Sequence, residues 1–323
     1  MARFAKYAWG VLAANLGVVL WGAYVRASGS GAGCGSHWPL CTGVVIPQSP
    51  GLATLIELTH RATSGVALLL VVGLFVWSRR VAPAGSPVRL GAGLALVFML
   101  CEALIGAALV KLELVAQNAS LTRAVYLATH LLNTFLLLGS VALAAWWASG
   151  GEQLRVEVRR RLPWLFAAGL LGTLVVGMSG AITALGDTLF PPTSLVEGIR
   201  QDASPTAHLL VRLRVLHPAL AVAVGLYLIV LATSAAAQRN GPVVKRLAWA
   251  VGGLVVTQWL AGLTNIALLA PLWLQLVHLL LADLLWIALV LLGAAALAQE
   301  ASARAAVRTT EVADETAAAG ARL

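Results

Sequence analysis

The stretch WLQLVHLLLADLLWIALVLLGAAAL, Trp273–Leu297, holds one formal charge, Asp283, and one histidine, His278, in 25 positions. A helix of about 20 apolar residues crosses the ~30 Å hydrocarbon core of a bilayer. The stretch therefore reads as a membrane span with an imidazole inside it. Seven further stretches have the same character: Tyr7–Val25, Leu55–Trp77, Leu90–Val110, Ala124–Trp146, Pro163–Ile182, Leu213–Ser234 and Leu247–Leu268. The 323-residue chain is 60% hydrophobic and 11% charged, with a mean hydropathy of +0.88. A soluble domain carries about 25% charged residues. The sequence predicts an all-α integral membrane protein with eight transmembrane helices.

The net charge of +9 invites a nucleic-acid reading, and its distribution argues against one. With the N-terminus in the cytoplasm, 15 of the 22 Lys and Arg residues fall on the inner side and seven on the outer. That bias is the positive-inside rule. It predicts a multi-pass protein of the cell (inner) membrane with both termini cytoplasmic, and no nucleic-acid partner. The first span follows Arg3 and Lys6 and lacks a small-residue cleavage site, so it reads as a retained helix. Residues 299–323 read as an Ala-rich charged cytoplasmic tail. Cys34 and Cys41 share the first outer loop, where an oxidising compartment favours a disulfide between them. Cys101 stands alone in the third span and reads as a small buried apolar residue.

The two halves of the chain resemble each other. His60 and His217 are 157 positions apart, Glu102 and Gln258 156, and His130 and His278 148. Gly106 and Gly262 keep the spacing of the Glu102/Gln258 pair. The shared order predicts a duplication: two repeated four-helix bundles, residues 1–150 and 151–298, hinged near Glu152–Arg161. Four spans return the chain to its starting side, so the pseudo-twofold axis runs along the membrane normal.

His60, His130, His217 and His278 lie one per even-numbered span, all in the outer third of the membrane. Ionisable side chains inside a bilayer are costly and usually functional. Two pairs at matched depth point to two sites where a flat metal cofactor is held from both faces, and haem is the natural candidate. Each ligand histidine needs an outer-shell partner for its second ring nitrogen. His37 and His208 fall in or beside outer loops and read as solvated or interfacial. Arg26, Arg61, Arg212 and Arg214 lie at the outer edge, where a planar guanidinium suits a haem propionate. The competing reading is that they snorkel to lipid headgroups.

The halves differ at one position that matters for chemistry. Glu57 precedes His60 by three residues and shares its helix face; the residue at that spacing before His217 is Arg214. One site thus has an acid beside it, suited to proton transfer or electrostatic stabilisation, and the other looks like an electron relay. A di-iron bundle would need a second Glu-x-x-His and two more bridging carboxylates, which the sequence does not supply.

Both outer loops and the helix motifs together resemble haem A synthase. The match runs through Gly29-Ser30-Gly31-Ala32-Gly33-Cys34, Trp38-Pro39-Leu40-Cys41, Glu57 to Arg61, and Gln117-Asn118-Ala119-Ser120 leading to His130 and Asn133. It continues through Gly180-Ala181, Leu185-Gly186-Asp187-Thr188-Leu189-Phe190-Pro191, Gln258, Gly262, Asn265 and Trp273 to Asp283. The resemblance implies conversion of haem O to haem A, in which successive hydroxylations turn a ring methyl into a formyl group. It implies His60 and His130 as histidines of the substrate haem site and Glu57 as the essential acid. It implies a haem b whose iron is held by His217 and His278. Some members of the family carry a second cysteine pair in the third outer loop, and this chain has none there. The partners implied are haem O synthase, a membrane electron acceptor and terminal oxidase assembly factors; a homo-oligomer is also compatible. Two alternatives remain at this level: a membrane cytochrome b that only transfers electrons, and a haem transporter or chaperone.

Overall fold

The computed structural model describes residues 1–152, 161–239 and 241–298. The tail and most of the expected hinge lie outside these residues. Among them there is no β-strand, and eight helical segments are long and apolar enough to cross a membrane. The helices are α1 (Ala2–Ala27), α2 (Leu52–Val81), α3 (Pro87–Lys111), α4 (Leu121–Ala148), α5 (Arg161–Leu189), α6 (Leu195–Ala203), α7 (Leu209–Leu213), α8 (Leu216–Gln238), α9 (Pro242–Ala267) and α10 (Leu272–Leu297). The sixth span is built from α7 and α8 together, Leu209–Gln238. The protein is a multi-pass membrane protein.

Local chemistry sets the helix ends. Ser86 caps α3 by accepting from the Arg89 amide, with Pro87 at the first helical position where its missing N–H costs nothing. Ser120 caps α4 in the same way through the Arg123 amide. At their C-termini α3 and α9 close with one bonding pattern. Glu113 N donates to Val110 O and Leu114 N to Leu109 O; Leu269 N donates to Ile266 O and Ala270 N to Asn265 O. This is the Schellman arrangement. In both helices a non-glycine residue takes the left-handed position, Glu113 at φ 52° and Leu269 at φ 59°. The loop that follows differs, running from Leu112 to Ser120 after α3 and from Leu268 to Pro271 after α9. That shortening accounts for most of the smaller offset between His130 and His278.

Helices α1 to α4 pack in a ring in which α1 touches α2 and α4, and α3 touches α2 and α4. Helices α5, α8, α9 and α10 do the same, with α10 closing back on α5. The rings meet through α4 against α5 and α10, and through α1 against α10. Helices α4 and α10, two of the four that carry a membrane histidine, are accordingly central, with 67% and 61% of their apolar stretches buried against 17–28% for the other spans.

The buried side chains leave out one layer. In α1 they run from Phe4 to Asn15 and resume at Val25. In α2 they skip from Glu57 to Ala67, in α3 from Met99 to Leu109, in α5 from Thr173 to Leu185, and in α10 from Leu274 to Asp283. In α8 the first is Gly225, and in α9 the last is Val255. Only α4 is nearly continuous, pausing between Ala128 and Asn133. The main cores, around Phe4, Leu74, Leu138, Leu228 and Leu292, lie on the side of this layer away from the Cys34–Cys41 loop.

Candidate functional site

All four membrane histidines fall in the skipped layer. His60, His130, His217 and His278 are the ninth, tenth, ninth and seventh residues of their spans. The depth of His217 is kept although its helix is broken. Arg214 stops α7, and α8 restarts with His217 and Pro218 in its first turn, where proline is tolerated.

The second pair has explicit geometry. The His217 and His278 rings face each other across the diagonal of their ring of helices, with centroids 6.4 Å apart and planes at 82°. A metal bonded to two imidazole nitrogens at about 2 Å, with each ring centre about 1.1 Å behind its nitrogen, would set the centroids about 6.2 Å apart. The fit is close. Ser179 Oγ lies 3.0 Å from His217 Nδ1 and donates to Val176 O at 2.8 Å. With its own proton so used, the hydroxyl accepts from Nδ1–H, which leaves Nε2 as the free lone pair. Gln258 stands over His278, its Nε2 donating to the His278 carbonyl at 3.1 Å and lying 3.4 Å from the ring Nε2. Nδ1 of His278 is buried without a bonding partner.

The first pair is organised around a carboxylate. Glu102 Oε1 lies 3.3 Å from His130 Nδ1 and accepts from Thr134 Oγ1 at 2.6 Å. Its Oε2 accepts from Asn133 Nδ2, which also bonds Phe98 O at 2.8 Å. The 3.3 Å approach is within ion-pair range, and His130 Nδ1 makes no hydrogen bond. His60 Nδ1 is likewise buried and unbonded. Glycines admit the rings. A Cβ on Gly22 would lie 2.8 Å from His60 Cε1, one on Gly180 3.0 Å from His217 Cε1, and one on Gly262 3.3 Å from His278 Cε1.

Glu57 is 3% exposed and is committed to the outer loop. Its Oε2 accepts from the Cys34 amide at 2.8 Å, and Oε1 accepts from Arg61 Nε at 3.1 Å and Nη2 at 2.5 Å. Arg61 Nη1 then donates to the carbonyls of His37 and Leu40, each at 2.7 Å. The loop is closed by a Cys34–Cys41 disulfide, as the sequence predicts. Glu57 and Arg61 thus clamp it onto the first turns of α2.

The other arginines divide. Arg26 donates to Ala184 O and Thr188 Oγ1, each at 2.9 Å, and to Gln275 Oε1 at 3.1 Å, tying α1 to α5 and α10. Arg214 pairs with Asp202 at 2.8 Å and Asp187 at 3.2 Å. Arg212 is exposed. His208 is the N-cap of α7, its Nδ1 accepting from the Leu210 amide, and it stacks on Phe190. Cys101 is free and half-buried rather than fully buried.

Two carboxyl groups have a larger place than the sequence reading gave them. Glu102 is marked there only as one member of a repeated pair, yet it and Gln258 are the side chains that meet His130 and His278. Asp283 is fully buried on α10, with neither oxygen bonded. Among the described residues no three His, Cys, Asp or Glu side chains gather as a metal cluster. A haem iron asks for only two.

A polytopic helical membrane protein holding imidazoles in a skipped packing layer is the class that fold and site define. Residues 5–290 match the model of the COX15-CtaA family, described as cytochrome oxidase assembly protein, and the chain belongs to that family. It is similar to "Protoheme IX farnesyltransferase" of Thermus thermophilus, 53% identical over 296 residues, which is 92% of this chain and 49% of the relative. It is also similar to "Heme A synthase" of Exiguobacterium sibiricum, 35% identical over 164 residues, 51% of this chain and 53% of that protein. With "Heme A synthase" of Bacillus mycoides it shares 42% identity over 111 residues, covering 34% and 36%. The chain spans about half the length, or less, of these curated relatives.

Proposed function

We propose that this chain is a haem A synthase, oxidising a ring methyl of haem O to a formyl group to make haem A for terminal oxidases. The observation that carries the reading is the skipped layer, in which every span lacks buried side chains at the depth of four histidines. The names of the Exiguobacterium and Bacillus relatives support the activity. Appearance of a formyl haem in extracts of membranes that hold the chain and haem O tests it, and unchanged haem O contradicts it.

Under this proposal His217 and His278 hold the iron of a resident haem b, with Ser179 behind His217 at Nδ1 and Gln258 bonded to the His278 carbonyl. That group would supply a one-electron redox centre in the second site. His60 and His130 receive haem O as substrate, and Glu102 orients His130. Glu57 acts beside that haem. Because both its oxygens already accept hydrogen bonds, one pair from a guanidinium, it works better as a fixed negative charge facing developing positive charge than as a free base. Arg26, Arg61, Arg212 and Arg214 remain candidates for propionates. Of these, Arg212 is the exposed one, and the other three would share their donors between protein and ligand.

The architecture we propose is an internal duplication, 1–150 and 151–298. The matched Schellman ends of α3 and α9 and the paired contacts Gly22–His60 and Gly180–His217 support it. The charge bias supports a topology with the first loop outside the cell membrane and both termini in the cytoplasm. For partners we propose haem O synthase, a membrane electron acceptor and terminal oxidase assembly factors. The Thermus relatives bear a farnesyltransferase name and are about twice the matched length.

Two expected results arise here. Gly22→Ala drives a methyl to 2.8 Å of the His60 ring, so the ring must tilt. First-site haem binding should weaken about 10-fold or more, as when an outer-shell partner of a ligand is lost, while second-site haem is unchanged. Equal occupancy of the first site in wild type and variant, by haem titration, would contradict the packing account. Separately, alkylating the unreduced protein should leave Cys34 and Cys41 unmodified in mass spectra. Replacing both by serine should cost about 2.5 kcal/mol, the chain-entropy value for so short a loop. An unchanged thermal midpoint would show that Glu57 and Arg61 hold the loop alone.

A further inference from the structure

Between the fifth and sixth spans lies α6, a nine-residue helix with no buried residue. Leu195, Val196 and Ile199 are 44%, 67% and 63% exposed. Their spacing gathers them with Ala203 on one arc of about 100°. Glu197, Arg200, Gln201 and Asp202 occupy the remainder. The helix is not free to leave the bundle. Asp202 Oδ1 accepts from Arg214 Nε at 3.0 Å and Nη2 at 2.8 Å, Gln201 Oε1 lies 3.4 Å from Nη2, and Arg214 also reaches Asp187 on α5. The connections on either side, Phe190–Ser194 and Ser204–His208, are five residues each, and so reach no more than about 18 Å. Both neighbours of α6 are membrane-spanning segments, so it is held at the surface where they emerge. That end of the sixth span also exposes Leu209, Val215 and Leu216.

We propose that α6 lies in the plane of the membrane surface, with Leu195, Val196 and Ile199 sunk among the acyl chains of the leaflet on the disulfide side and its polar arc clamping Arg214. An amphipathic helix with a large aliphatic arc, fixed beside a bilayer, has lipid as its natural second phase. Arg214 precedes His217 by three residues, so α6 is tied to the start of the helix that carries His217.

The test uses the full chain in nanodiscs of phosphatidylcholine and phosphatidylglycerol. Cys101 is replaced by serine, the Cys34–Cys41 bond is kept oxidised, and a nitroxide is attached to single cysteines at 195, 196, 197, 199 and 200. Collision with dissolved oxygen and with a water-soluble nickel chelate is read by power saturation. Labels at 195, 196 and 199 should favour oxygen several-fold over the chelate, and those at 197 and 200 the reverse. Preference for the chelate at all five sites would overturn the proposal, since the helix would then stand in water. Protection of 195, 196 and 199 from both reagents would also overturn it, by showing that a second copy or another protein covers the arc. Neither result depends on haem, so the proposal can fail while the proposed function stands.

Discussion

Purified protein carrying His217→Ala or His278→Ala is expected to lose its low-spin haem b spectrum. The two rings stand 6.4 Å apart between centroids, a separation that would admit a metal bonded to one nitrogen of each. Under the proposed assignment, loss of either would remove one of the two side chains that hold the iron, which would change the spin state even where haem stays bound. A graded series separates ligation from packing. Ser179→Ala removes the 3.0 Å contact to His217 Nδ1 and the hydroxyl's own bond to Val176 O but leaves both imidazoles, so it should retain the low-spin spectrum with affinity lowered about 10–100-fold. Unchanged low-spin spectra in both histidine variants would sink the assignment of the second site.

Glu57→Gln is expected to abolish haem A formation while leaving the second-site haem b in place. The amide keeps an acceptor for the Cys34 N–H but replaces charge-assisted bonds to Arg61, which are roughly twice as strong as neutral ones. The stability cost should be about 1–3 kcal/mol, small enough for the bundle to fold. Arg61→Lys serves as the control. It keeps a positive partner but cannot span the Glu57 carboxylate and the His37 and Leu40 carbonyls together. If loosening of the loop were the whole effect, Arg61→Lys would fall as far as Glu57→Gln. We expect Arg61→Lys to retain partial activity and Glu57→Gln to have none. Wild-type haem A from Glu57→Gln would return the residue to a purely structural role.

The eight spans were legible because burial in lipid writes a long apolar run into the sequence, and His278 stood out because it interrupts one. The spans are longer in the structure, α2 running Leu52–Val81 rather than Leu55–Trp77, because helix ends continue past the hydrocarbon into polar residues such as Arg79 and Arg80. The disulfide was legible from two cysteines in one outer loop. The short helix α6 was not: nine mixed residues carry no span-like signal, and its meaning comes from Arg214, which reaches it across the chain. The commitment of Arg26 to Ala184, Thr188 and Gln275 was likewise hidden, since those partners lie 158 to 249 positions away. Helical spacing points Glu57 toward His60, and the structure adds the loop that claims both its oxygens. Glu102 is legible in the sequence as well, because a polar pair repeated at nearly the offset of His60 and His217 is itself a signal of shared duty.

The most direct measurement of the central claim is chromatography of haems extracted from cells that make haem O but no haem A, with and without this chain. Expression should convert a large share of haem O into a haem with one formyl group and a mass higher by one oxygen atom less two hydrogens. Haem O as the sole farnesylated haem, in cells where the chain is present in the membrane with its haem b bound, would contradict the claim and leave an electron-transfer or haem-carrying protein.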